Sequence, residues 1–186
     1  TQFRIHIIVT HAFLRSLAAI LAAIVVLRIG YEPRIVGNAV GTTPIFNWLL
    51  WGYGIPALSF WAGSILLRRG GDDAPLRTVE SAAILFTVLL AFLQIRHAVN
   101  NGDVYRQSAG LTEVALQVCV ALAMAIGLER LRIRTGSVIH NAGAILLTAF
   151  AGLAAVFGLL MLENPLLWYI DVGGAVINLL LLGYAL

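Results

Sequence analysis

Between residues 96 and 117 the chain gathers a guanidinium, an imidazole, two carboxylates and an amide on Arg96, His97, Asp103, Glu113 and Gln117. An imidazole beside a carboxylate is the pairing that general acid–base chemistry uses, so His97 with Asp103 or Glu113 would serve a transferase. Such an enzyme also needs a nucleophile and a substrate-binding motif, and the sequence identifies neither. The same residues encode a structural role. Arg96 and Glu113 are nearly equidistant from the centre of the loop between them, as are Gln94 and Gln117, so a helical hairpin holds each pair at one depth. An ion pair flanked by amides then spares both charges from lipid, and His97 is left as a titratable group at the rim.

Three other sets of residues could do chemistry. Arg4, His11 and Arg15, at spacings of seven and four, share one helical face suited to lipid phosphate. His11 and His140 fall at similar depths, which makes a bridging haem the alternative to no cofactor; without a Cys or carboxylate companion the ligand set is thin, and neither cofactor nor metal is expected. The stretch with Asn47, Gly52, Tyr53, Gly54 and Pro56 interrupts an apolar run, and broken helices line substrate paths in transporters. The competing reading is close helix approach at the glycines and a tolerated kink at Pro56, with Trp48 and Trp51 as interfacial anchors. No Walker A loop, dinucleotide fingerprint, HExxH helix, CxxC pair or G-x-S-x-G elbow occurs, which disfavours phosphoryl or hydride chemistry.

The elements that must position these residues are membrane helices. Of the 186 residues, 60% are apolar and 11% charged, against about a quarter charged in soluble domains, and the mean hydropathy is +0.93. All 12 basic side chains are Arg. A net charge of +3 and a pI near 9.5 fit the positive flanks of membrane helices, and nucleic acid is not expected as a partner. The single Cys119 lies in an apolar run and supports neither a disulfide framework nor a thiolate cluster.

Apolar runs predict helices over Ile5–Ile29, Ile45–Leu67, Val79–Val99, Leu111–Glu129 and Val138–Leu162, with a sixth beginning near Gly174. Thr43 and Pro44 read as the cap and first-turn proline of the second. Arginines 68, 69 and 77 fall between helices two and three, and arginines 130, 132 and 134 between four and five, which predicts a cytoplasmic amino end and outer loops at 30–44, 99–110 and 163–173. Small residues at Ala18/Ala22, Ala19/Ala23 and Ala151/Ala155, with Gly143, Gly152 and Gly158, predict close helix packing. Sliding the chain against itself from Asn47 to Asn178 also aligns Leu49, Leu50, Gly52 and Tyr53 with Leu180, Leu181, Gly183 and Tyr184, and Glu32 with Glu163. The expected architecture is therefore an all-α polytopic bundle of about six helices in parallel four-helix repeats, with residues 1–130 as the first repeat and 131–186 as the start of a second. Glu32, Glu163, Asn178 and Tyr184 would be repeat-matched positions. The last apolar run holds only about fourteen residues, or roughly 21 Å of helix against a ~30 Å core, so the chain reads as part of a longer polypeptide.

The runs Phe46-Asn-Trp-Leu-Leu-Trp-Gly-Tyr-Gly-Ile-Pro-Ala57, Ile95-Arg-His-Ala-Val-Asn-Asn-Gly-Asp103 and Glu163-Asn-Pro165 through Asn178-Leu-Leu-Leu-Leu-Gly-Tyr184 resemble the bacterial predicted-membrane-protein family called domain of unknown function 2339. The likeness implies the carboxy-terminal part of longer, many-helix proteins in the bacterial inner membrane, and it carries no activity or catalytic residues with it. The expected role is a non-enzymatic scaffold or accessory subunit of a cell-envelope complex, with lipids and other membrane subunits, or the rest of its own chain, as partners. The alternatives are a transporter or lipid/polymer translocation component, and a periplasm-facing transferase.

Overall fold

Lipid offers a peptide group no hydrogen bond, so an apolar run must satisfy its backbone internally, and each of the five described runs does so as helix. The computed structural model describes residues 2–32, 40–105 and 110–162, with side chains described from residue 12 onward. Helix α1 spans Gln2–Tyr31, α2 Ile55–Arg68, α3 Ala74–Val99, α4 Leu111–Thr135 and α5 Val138–Leu153. A π-helical turn, Leu50–Gly54, leads into α2, and a longer one, Ala154–Leu162, continues α5. Among the described residues the protein is all-helical, with five helices long and apolar enough to cross a membrane. The sixth helix expected near Gly174, and with it most of the second repeat, lies outside the described residues.

Two compact units divide the chain, one from residues 1–39 and 46–90, the other from 40–45 and 91–186, so α3 begins in the first and ends in the second. In the first unit, Ala22 of α1 is fully buried against Val79 and Ala82, with Val26, Phe60 and Leu67 packed around them. Alanines at this crossing let the backbones approach, which is what holds helices together in lipid. The rest of α1 exposes Leu21, Ile24 and Leu27, as befits a helix whose solvent is hydrocarbon.

The second membrane helix begins at Trp48 rather than Ile45. Thr43 and Pro44 lie in a bend with Ile45, whose φ of +66° no helix accommodates. The cap is Asn47, whose Oδ1 accepts the Leu49 N–H at 3.0 Å. Pro56 has no N–H to offer the Gly52 carbonyl, and the turn ahead of it widens until the Ile55 N–H bonds Leu50 O, five residues back. Gly54 permits a close approach there: a Cβ would stand 2.9 Å from Leu50 Cδ1 and 3.4 Å from Leu90 Cδ2. The rings of Tyr53 and Phe60 pack on Phe86 with centroids 6.1 and 5.4 Å away, the tilted geometry that aromatic quadrupoles favour. Helix α3 starts at Ala74, ahead of the expected Val79. Asp73 accepts the Leu76 N–H at 3.1 Å, and Pro75 in the first turn costs no backbone bond.

In the second unit α4 runs past Glu129 to Thr135 and so absorbs Arg130, Arg132 and Arg134, which the sequence had suggested for a loop. Cations are favoured at this end of a helix dipole. Gly136, at φ +68°, stops the helix and returns its N–H to Arg132 O. Ser137 opens α5 at once, its Oγ accepting the N–H of Ile139 at 3.2 Å and of His140 at 3.4 Å. The hairpin buries Ala115, Val118, Ala121, Ala125 and Leu128 of α4, with Ala144, Leu147 and Ala151 of α5. A Cβ on Gly158 would come within 2.7 Å of Val114 Cγ1, and a β-branched side chain has little freedom to retreat. Gly152, by contrast, faces open space.

Candidate functional site

Glu113 lies in the first turn of α4, where free N–H groups favour an anion, and Arg96 in the last turn of α3, where free carbonyls favour a cation. The hairpin brings them together: Arg96 NH1 donates to Glu113 Oε1 at 2.7 Å, and Arg96 Nε to Val104 O at 2.7 Å. Gln117, one turn along α4, donates to the same Oε1 at 3.2 Å, and Asn100 Nδ2 donates to Oε2 at 3.0 Å. Glu113 is 0% exposed and the Arg96 side chain 21%. A buried carboxylate costs several kcal/mol to desolvate, and the three donors around Glu113 offset that cost.

His97, one residue on from Arg96, turns elsewhere. Its Nε2–H donates to Gly41 O at 2.6 Å, the proton assigned by the carbonyl's having none to give. One turn earlier on α3, Gln94 Nε2 donates to Ile45 O at 3.0 Å. Together they strap residues 40–45 to the end of α3 in a backbone that needs positive φ at Gly41 (+88°), Ile45 (+66°) and Gly102 (+96°). The φ at Ile45, a β-branched residue, is a strained conformation that the surrounding bonds must hold. Asp103 joins neither group: its Oδ1 accepts the Tyr105 N–H at 2.9 Å and closes a turn. Of the predicted cluster, then, Arg96, Glu113 and Gln117 converge, while His97 and Asp103 each serve a loop.

At the other end of α3 the first unit holds a polar group whose carboxylates the sequence reading did not single out, and Arg15, expected to meet lipid phosphate, is bonded within it. Arg15 of α1 donates through Nε and NH2 to both oxygens of Asp73, at 2.8 and 2.6 Å, through NH1 to Leu67 O at 2.6 Å, and through NH2 to Gly71 O at 3.3 Å. Arg68 pairs with Glu80, which is buried on the second turn of α3, and Arg77 with Asp72. The Arg15 hydrogen bond holds the Asp73 carboxyl below its ordinary range, and the Arg77 bond does the same for Asp72. The signal that could have found Glu80 is a carboxylate within two turns of a membrane helix end, next in sequence space to unassigned arginines.

The remaining candidates separate by position. Tyr53 and Gly54 are buried, Asn47 is a buried cap, and Gly52 and Pro56 are half-buried. Glu32, exposed after α1, returns its N–H to Arg28 O at 2.7 Å; its partner positions Glu163, Asn178 and Tyr184 lie outside the described residues. The side chains of Arg4 and His11 also lie outside them. His140 is buried at the α4–α5 turn, where its Nδ1–H donates to Thr135 Oγ1 at 3.0 Å because that hydroxyl's own proton goes to Leu131 O. Among the described residues no three His, Cys, Asp or Glu side chains converge as metal ligands do.

No curated protein and no solved structure matches the chain. A family model described as predicted membrane protein (DUF2339) matches residues 3–186, which agrees with five apolar helices long enough to cross a bilayer: the chain belongs to the DUF2339 family of membrane proteins.

Proposed function

We propose that this chain is a non-catalytic scaffold or accessory segment of a cell-envelope membrane complex, lying in the bacterial inner membrane with its amino end in the cytoplasm. The observation that carries the reading is how the polar groups near the α3–α4 turn are used. Glu113 is enclosed by Arg96, Asn100 and Gln117, and His97 is committed to the Gly41 carbonyl. These groups join backbone segments, whereas a reaction centre keeps a base within reach of a substrate proton. The translocation alternative draws on the break at residues 52–56, and there Tyr53 stacks on Phe86 while Gly54 abuts Leu50 and Leu90. Small residues at helix crossings and abundant exposed apolar side chains on α1 and α5 suit lateral assembly in lipid.

Extraction of the native protein in a mild detergent, followed by cross-linking and single-particle imaging, tests the proposal. Membrane partners in fixed stoichiometry are expected. Recovery of the protein alone under conditions that preserve other envelope complexes would count against it, and so would loss of a measurable turnover in a well-folded His97→Ala variant.

A further inference from the structure

Where α1 passes the α2–α3 turn, a cavity of about 970 Å³ opens between the three segments, lined by Leu14, Arg15, Ser16, Leu66, Arg69 and Asp73 among others. Its charge balance is uneven. Arg15 and Asp73 neutralise each other across the wall at 2.6 Å, which leaves Arg69 as the uncompensated charge of the lining. Among the described residues no carboxylate or carbonyl accepts from the Arg69 side chain.

The wall is rigid for a physical reason. The Arg15 guanidinium is tied to Leu67 O, Gly71 O and both Asp73 oxygens, and it lies so close to the chain that a Cβ on Gly70 would fall 2.2 Å from NH1. Arg15 is therefore spent on building the cavity. The depth is that of a headgroup layer: Arg69 follows the last residue of the apolar span Leu50–Arg68, and Arg15 reaches the carbonyls of Leu67 and Gly71 on either side of it. Leucines 14 and 66 extend the lining toward the hydrocarbon, Ser16 adds a hydroxyl, and Arg69 marks the watery rim.

From this we propose that the cavity holds the headgroup of an anionic phospholipid, its phosphate on Arg69 and its glycerol end beside Ser16, with an acyl chain along Leu14 and Leu66. Arginine at the headgroup layer recognises phosphate through paired N–H donors, and the apolar flank favours a lipid over a free ion. The site needs only that this end of the unit meets one leaflet, whichever face of the membrane that is, so it stands or falls separately from the scaffold role.

Native mass spectrometry of the whole protein in neutral detergent, titrated with phosphatidylglycerol, phosphatidylcholine or inorganic phosphate, reads the site directly. Phosphatidylglycerol should be retained in preference to phosphatidylcholine, and Arg69→Gln should weaken its retention about fivefold, the worth of a basic group at a membrane surface. Arg134→Gln, at the exposed end of α4, should leave retention unchanged. Ser16→Phe fills the cavity without altering charge and should lower retention as well, which separates a site from a diffuse field. Equal retention of the two lipids, an unaltered Arg69→Gln, a matching loss in Arg134→Gln, or displacement of the lipid by phosphate alone would each overturn the assignment.

Discussion

A carboxylate with no water around it is stable only while its donors stay in place, and Glu113 depends on Arg96 most of all. Glu113→Ala leaves the Arg96 charge in a mostly buried setting and should destabilise the protein by about 3–5 kcal/mol, the range for breaking one side of a buried pair. Replacing both at once, Arg96→Met with Glu113→Leu, removes the charge and its counter-charge together and should cost less than either single change. Unfolding of the three variants in micelles by denaturant decides it; a double variant worse than both singles would mean that the pair contributes more than mutual neutralisation. This pairing was legible in the sequence because two helices joined by a short loop bring positions equidistant from its centre together. The partner of His97 was not. Gly41 lies more than fifty residues away, in a segment whose positive-φ backbone leaves no mark on hydrophobic periodicity.

At the scale of elements, lipid made the helix centres readable and the helix ends obscure. Apolar runs must be helical in hydrocarbon, so α1 to α5 fall where the composition places them. Their ends lie at the interface, where charged and capping residues continue a helix that hydropathy has stopped describing. Asp73 extends α3 back to Ala74, and the arginines after Glu129 carry α4 on to the glycine stop at Gly136. Asp73 also ties α1 to the α2–α3 turn through Arg15, so its protonation should loosen that junction. The carboxyl is held below its ordinary range chiefly by the Arg15 hydrogen bond. Its contribution is thus complete above the unfolded value of about 3.9 and fades as pH falls from there through the lower folded value. With Asp73 40% exposed, solvent screening keeps the contribution at about 1 kcal/mol or less. Asp73→Asn keeps a good cap and removes the charge, so thermal unfolding of the two proteins should differ at pH 6, and the difference should shrink as pH falls below about 3.9. A difference that persists undiminished at pH 3 would assign the effect to capping alone.

For the molecule as a whole, membrane class followed from composition, whereas the proposed sidedness rests on an asymmetry of arginine. Arg68, Arg69 and Arg77 cluster around the start of α3, and Arg130, Arg132 and Arg134 occupy the end of α4. The proposed cytoplasmic amino end rests on these clusters, because basic residues prefer the cytoplasmic side of membrane helices. Three of these arginines are engaged by carboxylates, Arg68 by Glu80, Arg77 by Asp72 and Arg132 by Glu129, yet acidic partners contribute little to orientation, so the bias survives the pairing. Helix α3 has 26 residues, about 39 Å at 1.5 Å per residue, enough to place its two ends on opposite sides of a ~30 Å core. Residues just before and just after it therefore report the topology. In a background carrying Cys119→Ser, Asp72→Cys should react with an impermeant maleimide in inverted membrane vesicles and stay unmodified in intact cells, and Tyr105→Cys should show the reverse. Labelling of Asp72→Cys from outside would invert the whole map, and labelling of both sites from one side would mean that α3 does not cross.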